Sequence, residues 1–129
     1  MIEVVCALIE NDSGQLLACK RAAITHLGGY WEFPGGKVEA GESNAEALVR
    51  EIQEELAVEI TVGDALTPVE WSDGEVAIRL LPYRCQLISG APHPHDHEEI
   101  RWCEILQLEA LKWAPADIPI LEEWRSLRG

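Results

Sequence analysis

Seven carboxylates crowd one stretch of this chain: Glu39, Glu42, Glu46, Glu51, Glu54, Glu55 and Glu59 fall within or just beyond Gly36 to Val58. A core buries so many acids only at high cost, so they form either a solvated helix face or a cation site. Their spacing bears on the choice. Ser43, with Glu46 three residues on, is a capping box that predicts a helix from Ser43 to about Leu56. Ala45, Leu48, Val49, Ile52 and Leu56 recur at helical spacing and supply its buried side. Glu51, Glu54 and Glu55 stand at i, i+3 and i+4 and share one neighbouring patch. Two carboxylates about 5 Å apart repel by roughly 3 kcal/mol at an effective dielectric of about 20. A merely solvated face would intersperse lysines, yet after Lys37 this stretch carries Arg50 as its lone cation. Such a face suits a hard divalent cation with oxygen ligands, Mg2+ or Mn2+. Upstream, Pro34-Gly35-Gly36 reads as a tight turn whose bare backbone could bring a Gly35 carbonyl or amide to the same ion.

These residues resemble the Nudix box, G-x5-E-x7-R-E-U-x-E-E-x-G-U with U aliphatic, here Gly36, Glu42, Arg50, Glu51, Ile52, Glu54, Glu55, Ala57 and Val58. Every fixed position matches except the last glycine, which is Ala57. An alanine there predicts a less left-handed exit from the helix than glycine allows. The likeness extends outside the box. Cys19-Lys20-Arg21-Ala22, Trp31-Glu32-Phe33-Pro34-Gly35-Gly36-Lys37 and Ala114-Pro115-Ala116-Asp117-Ile118-Pro119 look like the MutT branch of that family. Within it, the bacterial CTP pyrophosphohydrolase type is similar in its IEVV start, its His-acid-His loop before a Trp-Cys strand and its APADIP segment.

The chain has 129 residues, room for one domain with a genuine core, and is read as a single Nudix domain over 1–129. A net charge of −13 without a basic stripe argues against a nucleic-acid polymer as substrate. An anionic substrate could approach only with metal neutralising the site. Cys6, Cys19, Cys85 and Cys103 lack CxxC spacing and sit in apolar runs, as reduced core thiols of a cytoplasmic protein do. The start MIEVVCALIE carries no basic n-region, and no apolar run approaches a membrane span.

The elements that must position the acids follow in order. Ile2 to Ile9 and Gln15 to Lys20 are strands joined by the turn Asn11-Asp12-Ser13-Gly14, hence a hairpin. The loop from Ala22 to Tyr30 precedes Trp31-Glu32-Phe33. Glu59 to Trp71 is β-rich, and Asp73-Gly74 is a turn. Glu75 to Ile88 is a long strand whose Pro82 suggests an edge or a bulge. GAPHPHDHEE, Gly90 to Glu99, is a polar mobile loop. Ile100 to Cys103 is a short strand, Ile105 to Leu111 a short helix, and Asp117 to Leu127 a last helix with Ile120, Leu121, Trp124 and Leu127 at helical spacing. The order suggests an α/β fold with a mixed sheet between helices. The resemblance implies the Nudix α/β/α sandwich.

Outside the box, Arg21 offers a guanidinium for a phosphate or a base carbonyl, and equally a surface strand end; the matching MutT-branch arginine contacts the nucleotide. His26 lies in a glycine-flanked loop that could close over substrate. Phe33 either walls the nucleoside pocket or fills the core. Asp117 is either the N-cap of the last helix or, where MutT-like enzymes place a base-reading residue, a base reader. Ionised, it accepts from the amino group of cytosine or adenine; protonated in a dry pocket, it donates to a guanine carbonyl. Asp117→Asn is then expected to shift the preference between dCTP-type and 8-oxo-dGTP substrates. The loop His93-Pro94-His95-Asp96-His97-Glu98-Glu99 lacks a completed tetrahedral set, so a solvated loop is preferred to zinc. An acid of this region reaches the metal or the water in the family, and by spacing to Trp102 it is Asp96, with Glu98 or Glu99 as substitutes.

The resemblance implies metal-dependent hydrolysis of a nucleoside triphosphate to monophosphate and pyrophosphate. Gly35, Glu51, Glu54, Glu55 and Asp96 would serve the metal, with Glu54 as first choice of general base and Glu55 chiefly a ligand. Arg50 would orient the acids and Glu42 support them. The substrate lies between oxidised dNTPs and CTP-type nucleotides. Alternatives are hydrolysis of ADP-ribose or a dinucleoside polyphosphate, or a catalytically silent nucleotide sensor. The preferred base, the phosphorus attacked, the metal count and the choice of monomer or homodimer stay open.

Overall fold

The structure, a computed structural model, describes residues 1–72 and 74–128. Ile2–Glu10 forms β1 and Leu16–Lys20 forms β2. Asn11 shapes the turn between them: its Oδ1 accepts from the amides of Ser13 and Gln15, each at 3.0 Å. The expected hairpin opens at once. Among the described residues β1 and β2 pair at Glu10 and Leu16 alone. β1 then pairs with Gly35–Lys37 (β4) along Val4 to Cys6, and β2 pairs with Trp31–Glu32 (β3) and Glu99–Cys103 (β8).

Pro34-Gly35-Gly36 is therefore no tight turn. Gly35 and Gly36 belong to a strand laid so close to β1 that a Cβ on Gly35 would collide with the Val5 carbonyl oxygen. Missing side chains here serve close strand approach, which composition alone cannot tell from a turn.

Ala77–Ser89 (β7) runs through the middle of the sheet, parallel to β1 from Ile2 to Glu10 and antiparallel to Glu59–Ala65 (β5) and Val69–Ser72 (β6). The sheet is mixed, with order β3-β2-β1-β7-β5 and with β4, β6 and β8 beside β1, β7 and β2. Pro82 thus lies in a central strand and not at an edge. It sits where β7 changes partner from β5 to β6, and its carbonyl accepts from the Leu66 amide in that gap. A residue without an N–H is tolerated there because no ladder donor is required. Of the expected turn Asp73-Gly74, Asp73 lies outside the described residues.

Alternation along β1 divides the core. Val5, Ala7 and Ile9 point to one cluster, with Leu17, Cys19 and the helix Asn44–Leu56 (α1); Cys6 and Leu8 point to the other, with Phe33, Leu108, Ile120 and Trp124. The second face is closed by Ile105–Glu109 (α2), a 3-10 turn at Pro115–Asp117 and Ile118–Leu127 (α3). Of the four apolar positions read for the last helix, Ile120 and Trp124 are buried, Leu121 is half-buried and Leu127 is exposed. All four cysteines are free and buried. Among the described residues no helix is long and apolar enough to cross a membrane.

α1 begins as the capping box predicts, with Ser43 accepting from the Glu46 amide and Glu46 accepting from the Ser43 amide. Its buried side differs from expectation. Ala47, Leu48, Ile52 and Leu56 are buried, whereas Ala45 and Val49 are exposed. Ala47 shares a helical row with Glu51 and Glu55. The helix is rolled so that this row faces the sheet, which turns Val49 outward and draws two acids toward β4. Its exit also differs: Ala57 is left-handed, at φ 58° and ψ 35°. Loop amides account for it, because His93 N–H donates to the Leu56 carbonyl at 2.9 Å and His95 N–H to the Glu55 carbonyl at 3.2 Å. Those bonds satisfy the helix end and require a sharp reversal.

Candidate active site

Arg50 sets the arrangement of the acids. Its Nε and Nη2 donate to the two oxygens of Glu42 at 2.6 and 2.9 Å, Nη1 to Glu51 at 2.9 Å and to Glu54 at 3.4 Å, and Nη2 to the Lys37 carbonyl at 3.2 Å. This pairing, with the Glu39 amide, holds the Glu42 carboxyl down at about 2. Glu42 therefore orients Arg50 through both of its oxygens. Gly36 makes room for the next acid, since a Cβ there would strike the Glu51 carboxylate. Glu54 points outward with its side chain 60% exposed.

Glu55 is the unusual member. Burial, followed by the nearby charges of Glu51, Glu32 and Asp96, pushes its carboxyl up to about 8, and a hydrogen bond from the Gly35 backbone opposes this. Among the described residues two buried side-chain polar atoms lack a partner, Glu55 Oε2 and His97 Nδ1. An orphaned carboxylate oxygen among like charges fits a hard divalent cation, which would reverse the sign of the local field. The same residues do not close on one point: no group of three or more His, Cys, Asp or Glu among the described residues converges as a ready metal set. Arg50 stands on Glu51 and Glu54 where a cation would otherwise draw them together.

A small cleft of about 170 Å3 opens beside Glu55, lined by Arg21, Ala22, Thr25, Glu32, Asp96 and His97 as well. A larger cleft of about 450 Å3 adjoins it, lined among others by Arg21, His26, Glu32, Trp71, Val76 and Asp117. Arg21 and Glu32 belong to both and form the partition. Arg21 Nη1 donates to Glu32 Oε1 at 2.8 Å, and Arg21 Nε to the His26 carbonyl at 2.7 Å, which ties the loop after β2 to the partition.

Asp117 ends in the larger cleft and is not a cap, since its side chain makes no cap hydrogen bond to α3. Its Oδ2 instead accepts from the Phe33 amide at 2.9 Å. Burial raises its carboxyl to about 7, and the Phe33 bond restrains that rise. The backbone bends through a 3-10 turn before α3, which sends this side chain inward. Phe33 is core: its ring is buried against Trp113, with centroids 4.7 Å apart. It serves the cleft through its amide.

The loop before β8 is solvated, with His93, His95, Asp96 and Glu98 exposed, but it is anchored at both ends and is not a free segment. Besides the two bonds to the end of α1, Glu98 N–H donates to the Lys20 carbonyl at 2.9 Å and Lys20 pairs with Glu98 at 3.1 Å. Asp96 reaches the small cleft. Sequence reasoning missed Glu32, Trp71 and His97 as site residues. Glu32 is an acid between two aromatics ahead of the glycines, a signal that could have found it. Trp71 faces the larger cleft only because β6 folds back beside β7, and His97 is buried only because the loop is pinned.

The NUDIX domain model matches residues 2–124 of this chain. A CTP pyrophosphohydrolase of Escherichia coli (strain K12) is 41% identical over 129 residues, which cover 100% of this chain and 95% of that protein. An 8-oxo-dGTP diphosphatase of the same strain is 27% identical over 126 residues, 98% of each. The solution structure of the E. coli ORF135 protein matches with a TM-score of 0.85 at 40% identity, covering 100% of this chain and 91% of that one. An acidic helix braced by Arg50, a strand bared at Gly35 and Gly36, and a match along nearly the whole length agree: the chain belongs to the NUDIX domain family.

Proposed function

We propose that this protein hydrolyses a nucleoside triphosphate to the monophosphate and pyrophosphate, acting on CTP- or dCTP-type nucleotides, and that it works in the cytoplasm, where its four free thiols would stay reduced. The observation that carries the proposal is the pair of adjoining clefts. One presents the buried Asp117 beside Trp71, and the other presents Glu55 and Asp96, with Arg21 and Glu32 between them. A base would enter the larger cleft and the phosphates would cross Arg21, whose guanidinium suits phosphate oxygens.

Nudix hydrolases in general depend on a divalent metal. The carboxylates of Glu32, Glu55 and Asp96 line the small cleft, so a hard ion is expected there, Mg2+ with Mn2+ as its substitute. Glu51 and Glu55 would hold it, with Asp96 and the Gly35 backbone nearby. Bound there, the ion would neutralise phosphate charge and acidify water. Glu54, whose side chain faces solvent, would take the proton of an attacking water. Arg50 keeps Glu51 and Glu54 in register.

Asp117 supports cytosine in its ionised form, because a carboxylate accepts from an exocyclic amino group. Its raised pKa supports a second reading, an oxidised purine, because the protonated acid donates to a carbonyl. Pyrophosphate release from CTP, dCTP, 5-methyl-dCTP, 8-oxo-dGTP and 2-hydroxy-dATP with Mg2+ tests both. Release in wild type and loss of about 100-fold or more in Glu54→Gln are expected. Silence in both proteins while nucleotide still binds would establish a sensor instead.

A further inference from the structure

We propose that His97 is a positioning residue that couples the two clefts: its bond to Glu32 fixes the carboxylate that holds Arg21, so a side chain beside the acidic helix governs base selection. The inference rests on the hydrolase reading for its kinetic half and on geometry alone for its structural half.

Glu32 has one oxygen for each neighbour. Oε1 accepts from Arg21 at 2.8 Å, and Oε2 lies 3.0 Å from His97 Nε2. A carboxylate only accepts, so Nε2 carries the hydrogen and donates. The His97 side chain is 4% exposed. Its Nδ1 has no partner among the described residues, so the Nε2 bond is the polar contact the structure gives the ring. Burying an imidazole with one ring nitrogen unpaired costs stability, and the Nε2 bond to Glu32 offsets part of that cost.

His97 lines the small cleft with Asp96 and Glu55 and does not line the larger one. Its influence on the larger cleft runs through Glu32 and Arg21 to the His26 carbonyl. Without the His97 donor, Glu32 keeps one tether and its carboxylate is free to turn. Arg21 then loses its fixed partner, and the loop 22–30 loses the side-chain tie to the partition.

The test compares wild type with His97→Leu, His97→Asn and His97→Gln. Leucine keeps bulk without a donor. Asparagine places its amide near Nδ1 and falls short of Glu32, whereas glutamine places its amide near Nε2. Hydrogen–deuterium exchange should rise in residues 22–30 as well as 93–98 in the Leu and Asn variants. It should stay unchanged in Val69–Ser72, the opposite wall. The kcat/KM ratio of dCTP to 8-oxo-dGTP should move by about tenfold, the size of a lost charge-assisted bond, and glutamine should restore both. A role confined to folding would lower thermal stability and leave the ratio of the folded protein unchanged. Exchange confined to 93–98 with an unchanged ratio, or a glutamine variant that behaves like leucine, would overturn the coupling. If wild type hydrolyses none of the nucleotides, the exchange data alone decide the coupling, and the hydrolase reading falls separately.

Discussion

Asp117→Asn should make the protein more stable, and only above acid pH. The carboxyl is buried in the larger cleft and raised from its ordinary 3.8 to about 7. Below about pH 4 it is protonated in folded and unfolded chains alike, and a protonated Asp is nearly an Asn in shape. Between these values the unfolded chain gives up a proton that the folded chain keeps. The unfolded state then binds fewer protons, so wild-type stability falls as pH rises. The fall is complete above about pH 7. At about 1.4 kcal/mol per pH unit it amounts to about 4 kcal/mol. Glu55, pushed up to about 8, tilts wild type and variant the same way and cancels in their difference. Asn keeps an oxygen for the Phe33 amide, so that contact survives the change.

Urea unfolding of both proteins at half-unit steps from pH 4 to 8.5 measures the difference. The two curves should meet at the acid end and diverge toward pH 7, with the variant above. A difference that is flat with pH, or a wild type that gains on the variant as pH rises, would refute the burial argument for Asp117. The same titration should appear in selectivity. The kcat/KM ratio of dCTP to 8-oxo-dGTP should climb through pH 7 in wild type, as the acid changes from donor to acceptor, and should be level in the Asn variant.

Gly36→Ala should cost about 100-fold in kcat/KM, because the new methyl displaces the Glu51 carboxylate by a large fraction of its own radius; steady-state kinetics at saturating Mg2+ will show it. Ala57→Gly should stabilise by about 1 kcal/mol, since it relieves an alanine at φ 58°, and urea midpoints will report it with activity unchanged. Trp71→Ala should raise KM by about tenfold or more through lost base stacking, with a smaller effect on kcat, measured on the preferred nucleotide of the panel.

Much of this molecule is legible in its order of residues, because the informative interactions are local. A capping box, an i, i+3, i+4 acid pattern and an arginine four residues before Glu54 lie within one helix, where sequence spacing is spatial spacing. They suffice for α1, for the Arg50 contacts to Glu51 and Glu54 and for the cation hypothesis, whereas the shorter bonds from Arg50 to Glu42 reach outside the helix. The alternation along β1 likewise follows from strand geometry. The rest depends on contacts between distant residues. Whether Gly35 and Gly36 turn or extend is decided by β1 lying against them. Which row of α1 faces inward is decided by the sheet, and that roll half-buries Glu55, with its Oε2 out of solvent, while leaving Glu54 exposed. Asp117 reads as a cap until the Phe33 amide, 84 residues away in sequence, claims its oxygen. Glu32 becomes central because β3 brings it between Arg21 and a histidine 65 residues later in the chain. Local spacing thus supplied the acids. Tertiary packing decided which of them is dry, what faces it and where a base could sit, because desolvation and long-range pairing exist only once distant segments are in contact.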